Sequence, residues 1–195
     1  MAAKKPATAE TTITLPRLNL QVIKLRVVGD SPLITHAWSE KSRKMMLDKM
    51  MKKANTGRAA KDPEQEFRDS LYQHPDGGFG FPSIAFKSAA VDAATFVDGI
   101  TKVMMRGCFH IPGELVKIEG EPMPREDVCR VGMGAADLRY RAEFSAWAAE
   151  IPVQFNASAI SAEQIVNMFS VAGFSIGVGE WRPARDGQFG RFHVE

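Results

Sequence analysis

The chain has 195 residues, 45% of them apolar, enough for one hydrophobic core of ordinary size and typical of a globular protein. No apolar run approaches the roughly 18–20 residues of a membrane span, the N-terminal MAAKKPATAETTITLP lacks the apolar segment of a secretory signal, and two cysteines, Cys108 and Cys129, are too few for a disulfide framework. A cytoplasmic protein without membrane contact is expected, and a net charge of only +2 makes the placement of charge more informative than its sum.

Residues 1–18 read as a flexible tail and residues 19–195 as a single domain. LNLQVIKLRVV alternates, with Ile23, Leu25 and Val27 on one side and Lys24 and Arg26 on the other, the pattern of a half-buried strand. GDSP ends it, and LITHAW follows as a short extended segment. Ser39 caps a helix over about residues 40–54, whose Leu47, Met50, Met51 and Ala54 stripe is expected to pack in the core. Between Ser39 and Lys61, eight lysines and arginines stand against Glu40 and Asp48, a local excess of six positive charges. Such a run is a solvated helix face unless other cationic or stacking groups converge on it.

A helical insertion is expected over about 55–82. Asp62, Pro63 and Gln65 give N-cap, first-turn and capping-box signals for a short helix, and HPDGGFGF is a turn cluster. A helix follows Pro82, with Phe86, Ala90, Ala93 and Val97 on one face and Gly99 at its end. TKVMMRGCFHI and ELVKIEG, joined by PGE, suggest a hairpin. Residues 121–136 carry too many prolines, glycines and charges for a regular element and read as a long excursion. LRYRAEFSAWAAEIPVQFN is the longest strand signal, with Pro152 marking a bend or edge. Ser161 and Gln164 form a capping box for a last helix with Gly173 at its C′ position. AGFSIGVGEWRP and a closing strand, QFGRFHV, complete the chain.

Without its insertions this order is βαββαβ, an α+β fold of the ferredoxin-like or RNA-recognition type. Its sheet keeps one face open, where Lys24, Arg26, Arg139 and Arg141 are expected to lie. That core, an excursion before the penultimate strand, and AGFSIGVGEWRP after the last helix resemble the RAMP superfamily, the RNA-recognition-fold proteins of CRISPR effector complexes. SPLITHAWSEKSRK, DLRYRAEFSAW and GVGEWRP also resemble a phage or prophage family of that build. The resemblance implies a single strand of RNA or DNA held along an oligomer, with Gly177 and Gly179 beside its backbone and residues 121–136 as a thumb-like loop reaching a neighbouring subunit.

The sequence offers no cofactor motif. There is no phosphate-binding GxxxxGK[ST], and His74, His110 and His193 lack metal-ligand spacing. The phosphate-contacting set expected for non-enzymatic strand binding is Lys24, Arg26, Lys41, Arg43, Lys44, Lys49, Lys52, Lys53, Arg139 and Arg141. Gly177, Gly179, Trp181 and Arg182 form a close-approach loop in which Trp181 could stack on a base or pack inward. One alternative is a metal-independent endoribonuclease with His36 as general base, assisted by Tyr72 or Lys44; the resemblance implies that Asp127 or Asp137 would carry an acid there. Another is a structural component of a phage particle that has kept the fold without the nucleic acid.

Overall fold

A computed structural model describes residues 17–53, 60–131 and 134–195. In chain order the elements are β1 (Leu20–Gly29), β2 (Leu33–Thr35), α1 (Glu40–Met50), α2 (Pro63–Asp69), β3 (Tyr72–Gln73), β4 (Phe79–Pro82), α3 (Ser83–Ala93), α4 (Lys102–Cys108), β5 (Phe109–His110), β6 (Leu115–Glu119), β7 (Pro122–Val131), β8 (Ala135–Phe144), β9 (Ala148–Asn156), α5 (Ala162–Ser175) and β10 (Phe192–Val194). The main sheet runs β10-β1-β9-β6-β4-β3, with β5 also paired to β9. Taking β1, β6, β9 and β10 as the four core strands, with α3 and α5 as the crossovers, the order is 4-1-3-2 and every pairing is antiparallel. This is the ferredoxin-like α+β arrangement.

Alternation within the strands builds the core. Leu25 and Val27 of β1, Val116 and Ile118 of β6, and Ile151, Val153 and Phe155 of β9 are buried and share one cluster with Phe86 and Ala90 of α3 and Ile165, Met168 and Phe169 of α5. The opposite face stays open and carries Val22, Lys24, Arg26, Lys117, Glu119 and Glu150. Pro152 has no N–H to donate, and it falls between the β9 residues paired with β6 and those paired with β5.

The remaining strands, β2, β8 and β7, make a second antiparallel sheet. Residues 121–136 were expected to be irregular; instead most of them belong to a long hairpin in which Pro122 through Val131 pair with Phe144 through Ala135. Two properties reconcile the composition with a strand. β7 is an edge, where Pro122 and Pro124 are tolerated, and its charges are taken up by neighbours, as in Arg125 with Asp127 and Glu143. The expected single strand over 138–156 is two strands in different sheets. The chain turns at Ser145–Trp147, where the buried Trp147 indole N–H donates to the Ser31 carbonyl at 2.9 Å.

Three further expectations are corrected. TKVMMRGCFHI is mainly helix α4, because the Thr101 side chain accepts the Met104 N–H at its start and Met105 and Cys108 bury at helical spacing; β5 pairs with β9 and not with β6. Gly173 does not end α5. The helix continues to Ser175, and Gly173 is glycine because β10 crosses it so closely that a Cβ would run into the Phe192 carbonyl. Most telling, α1 buries no residue: Leu47, Met50 and Met51 are exposed, Met50 at 75%. Its methionine stripe has no partner element to bury against among the described residues; Ala54 lies outside them.

The N-cap signals at α2 and α5 hold, although at α2 the Gln65 side chain turns to Asp69 and does not close the expected box. Asp62 accepts the Gln65 N–H, and Ser161 and Gln164 complete a reciprocal box. Cys108 and Cys129 are both buried and free. No described helix is long and apolar enough to cross a membrane.

Gly173→Ala should destabilise the protein by about 1–3 kcal/mol, as expected for overpacking a closed contact. Gly107→Ala, in α4 with open space around it, should stabilise by roughly 0.5–1 kcal/mol. Urea midpoints of the two variants check both signs.

Candidate functional site

Two cavities meet at His36. The first, about 300 Å³, is lined by Ile34, Tyr72, Ser88, Asp92 and the segment Ile176–Glu180 with Arg182. The second, about 370 Å³, lies between the start of α1, α2 and β8. His36 lines both.

The first cavity depends on the glycine-rich segment after α5. The chain leaves the helix through Gly177, whose φ is +68° and whose N–H reaches back to the Ala172 carbonyl at 2.9 Å. Gly179 has φ +80°, and a Cβ there would sit 2.6 Å from the Ile34 carbonyl oxygen. Both therefore occupy backbone conformations that suit glycine, and the backbone they approach is the protein's own. Glu180 N–H then donates to Ile34 O at 3.0 Å, which docks the segment on β2. Arg182 folds back to donate to the Gly179 carbonyl at 3.0 Å. Trp181 adopts φ +53°, is 40% exposed, and lines neither cavity.

The second cavity is pinned by Ser70. Its hydroxyl donates to Phe67 O at 2.6 Å and accepts the Ala142 N–H at 2.8 Å, while its carbonyl accepts the Ala37 N–H at 2.9 Å. One buried serine thus ties the end of α2, strand β8 and the segment carrying His36 and Trp38. Lys61 bridges the same wall, donating to the Leu138 carbonyl and pairing with Asp137 at 2.7 Å.

Between the cavities runs a chain of charge. His36 Nδ1 lies 3.6 Å from Glu180, Glu180 lies 3.7 Å from Arg141, and Arg141 pairs with Asp127 at 3.1 Å. Asp127 also holds Arg125, which stacks over Phe189 at 4.7 Å and so ties the hairpin to the C-terminal segment. The close contact with His36, with Arg141 and Arg182 nearby, holds the Glu180 carboxyl below its ordinary value, against the opposing effect of burial. Burial, reinforced by Glu180, pushes the Tyr72 hydroxyl up.

The expected site residues separate into three groups. Gly177, Gly179 and Arg182 line the first cavity, Lys41 and Arg139 the second, and His36 both. Arg43, Lys44, Lys49, Lys52 and Lys53 continue from Lys41 along exposed α1 and just beyond it. Of these six cations only Lys53 forms an ion pair with a described residue, Asp48. Lys24 and Arg26 lie apart, on the open face, and are neutralised there. Lys24 meets Glu150 at 2.7 Å, and Arg26 meets Glu119 at 2.8 Å and Glu195 at 3.4 Å. Arg139 and Arg141 do not join them, because β8 belongs to the second sheet; Arg141 is only 3% exposed. The sequence reading omitted Trp38, Ser70 and Glu180. An exposed-type capping pattern around Trp38-Ser39 was the one local signal available; the other two act through contacts made across the fold.

With this geometry the chain is an α+β protein of ferredoxin-like strand order, carrying a second sheet and a two-cavity seam between them. No protein-family profile matches it, and no curated protein does. Among solved structures, the crystal structure of Cmr6 from Pyrococcus furiosus aligns over 92% of this chain and 100% of that chain, at 11% identity and a TM-score of 0.44.

Removing one partner of a buried ion pair leaves an uncompensated charge, so Asp127→Ala should cost about 3–5 kcal/mol. The double variant Asp127→Leu/Arg141→Met should recover most of that loss in a urea titration. Because the Glu180 carboxyl is depressed on folding, its contribution is present above its ordinary value near 4.5 and is lost as pH falls through the lower folded value. Glu180→Gln should therefore show a shallower loss of stability below that pH, measured by acid titration of the melting temperature.

Proposed function

We propose that this protein binds single-stranded nucleic acid, RNA or DNA, without cleaving it, along the seam marked by the two cavities and continued by α1. The observation that carries the reading is the placement of cations. Lys41, Arg43, Lys44, Lys49 and Lys52 make no ion pair among the described residues and extend from the mouth of the second cavity, whereas Lys24 and Arg26 are paired with carboxylates. Unpaired cations are free to neutralise phosphates and so release the counterions condensed on a strand, which is the source of salt-dependent affinity. The ferredoxin-like strand order and the glycine-rich C-terminal segment are the features that resemble the RAMP superfamily and agree with this reading.

Binding is by an oligomer that lines up along the strand in the cytoplasm. The hairpin β7–β8 is the arm that meets the next subunit, a role supported by Val128 and Leu138, cross-strand partners it leaves exposed on one face.

The second reading is cleavage at His36. It is favoured by one arrangement: Glu180 beside Nδ1, with Tyr72 and Arg182 lining the same cavity. There, His36 would take the proton from a ribose 2′-OH as that oxygen attacks the adjacent phosphorus and the 5′-oxygen leaves, taking a proton from solvent, while the arginine would face the phosphate. An RNA strand incubated in chelator, followed on a gel, separates the two readings. Intact RNA supports binding alone, and chelator-resistant cleavage lost in His36→Ala supports the second.

For binding, each phosphate contact on a single strand contributes about −0.7 to the slope of log affinity against log salt. Lys41, Lys44 and Lys49→Ala together should flatten that slope by about two. Lys24/Arg26→Ala should leave it unchanged. A slope that responds only to the second variant would overturn the placement of the strand.

A further inference from the structure

The second cavity has the chemistry of a pocket for one nucleobase, and we infer that it takes guanine from a bound strand. This inference rests on the single-strand reading and adds what that reading lacks, a base preference.

The argument begins with charge. Three cations line the cavity, Lys41, Lys61 and Arg139, and so do three carboxylates, Glu66, Asp69 and Asp137. Lys61 is spent on Asp137 at 2.7 Å, and Arg139 Nε lies 3.8 Å from the same carboxylate. A phosphate inside would therefore meet Glu66 and Asp69 with only Lys41 uncommitted, so the interior rejects the backbone. A neutral group that donates hydrogen bonds to carboxylates suits it better.

The second element is an aromatic surface. Trp38 lines this cavity and is 55% exposed, although it sits in a segment fixed at both ends. Ala37 N–H is bonded to Ser70 O, and Ser39 accepts the Ser42 N–H as the cap of α1. A large indole on a backbone fixed on both sides and left open to solvent is a stacking platform, and base stacking on such rings is a main source of single-strand affinity. The half-buried Tyr140 forms part of the same wall. The volume, about 370 Å³, falls within the range of small-molecule sites.

The third element selects the base. Asp69 has one oxygen engaged by the Gln65 amide at 2.7 Å, and Glu66 sits one helical turn before it on α2. Guanine presents N1–H and the N2 amino group side by side, two donors at the spacing of a carboxylate's two oxygens. Uracil and thymine present one N–H between two carbonyls, which a carboxylate repels. Adenine and cytosine offer a single amino group beside an acceptor. Lys41 at the α1 end, followed by the helix's unpaired cations, is then placed for the phosphates that flank the inserted base.

The test uses DNA strands, which lack the 2′-OH and cannot undergo the cleavage reaction considered above. Fluorescence anisotropy at fixed salt compares a twelve-residue dT strand with the same strand carrying one central dG, and with one carrying deoxyinosine, which lacks the N2 amino group. The dG strand should bind about tenfold tighter than dT, and deoxyinosine should lose most of that gain. Trp38→Ala should weaken the dG strand by about 5- to 150-fold. Glu66→Gln/Asp69→Asn should abolish the dG preference while the dT strand still binds; circular dichroism confirms that both variants fold. If wild type binds dG and dT strands equally, or if its dG preference survives both variants, the pocket assignment is wrong and the single-strand reading stands. If neither these strands nor their RNA counterparts, held in chelator, bind at any salt, that reading fails as well.

Discussion

The site depends on one close approach: the glycine-rich segment lying against β2. Glu180 N–H donates to Ile34 O, Gly190 N–H donates to Pro32 O, and Val178 N–H donates to Gly190 O. These bonds join the last part of the chain to the connection that follows β1, and with it the main sheet to the small one. The contact works only if no side chain intervenes at Gly179, where a Cβ would meet the Ile34 carbonyl and φ is positive. Once the segment is seated, Glu180 stands beside His36, Arg182 turns back over the first cavity, and Arg125 of the hairpin finds Phe189. A glycine motif that resembles a ligand loop in sequence is first of all the clamp between two sheets.

The clamp also decides where charge is spent. Arg141, Arg125, Asp127, Glu143 and Glu180 neutralise one another at the junction, partly or wholly buried, where the desolvation of the charges offsets much of their attraction. On the open face of the main sheet, Lys24 is paired with Glu150 and Arg26 with Glu119. An exposed pair of this kind is worth little to the fold, but it engages two of the cations that this face offers. α1, by contrast, carries Lys41, Arg43, Lys44 and Lys49, which make no ion pair among the described residues, beside an exposed methionine face.

Much of this was legible in the sequence, for identifiable reasons. The alternation in β1, the Ser161–Gln164 box and the Asp62 cap are local signals, and each produced the element it implied. Strand order could be inferred because the ferredoxin-like arrangement has few alternatives once four strands and two crossover helices are in place. Failures came where a neighbour overrode a local rule. Prolines and charges argued against a strand over 122–131, yet an edge position and cross-strand ion pairs removed both objections. The methionines of α1 carried the periodicity of a core helix, and periodicity cannot say whether a partner exists. Gly173 had the look of a helix end but is a crossing point for β10. At the site, Lys41, Arg139, His36, Gly177, Gly179 and Arg182 were named from sequence and converge on the seam. Ser70, Glu180 and Trp38 were missed, because Ser70 and Glu180 act only through contacts between distant segments and Trp38 through its exposure.

The most direct measurement is photocrosslinking of an iodouracil-substituted single strand, followed by mass spectrometry of the attached peptides. The account predicts adducts within residues 36–53, 137–141 and 176–182, the borders of the two cavities and the length of α1. Adducts confined to residues 20–28, 115–119 and 150–156 would place the strand on the open sheet face and contradict it.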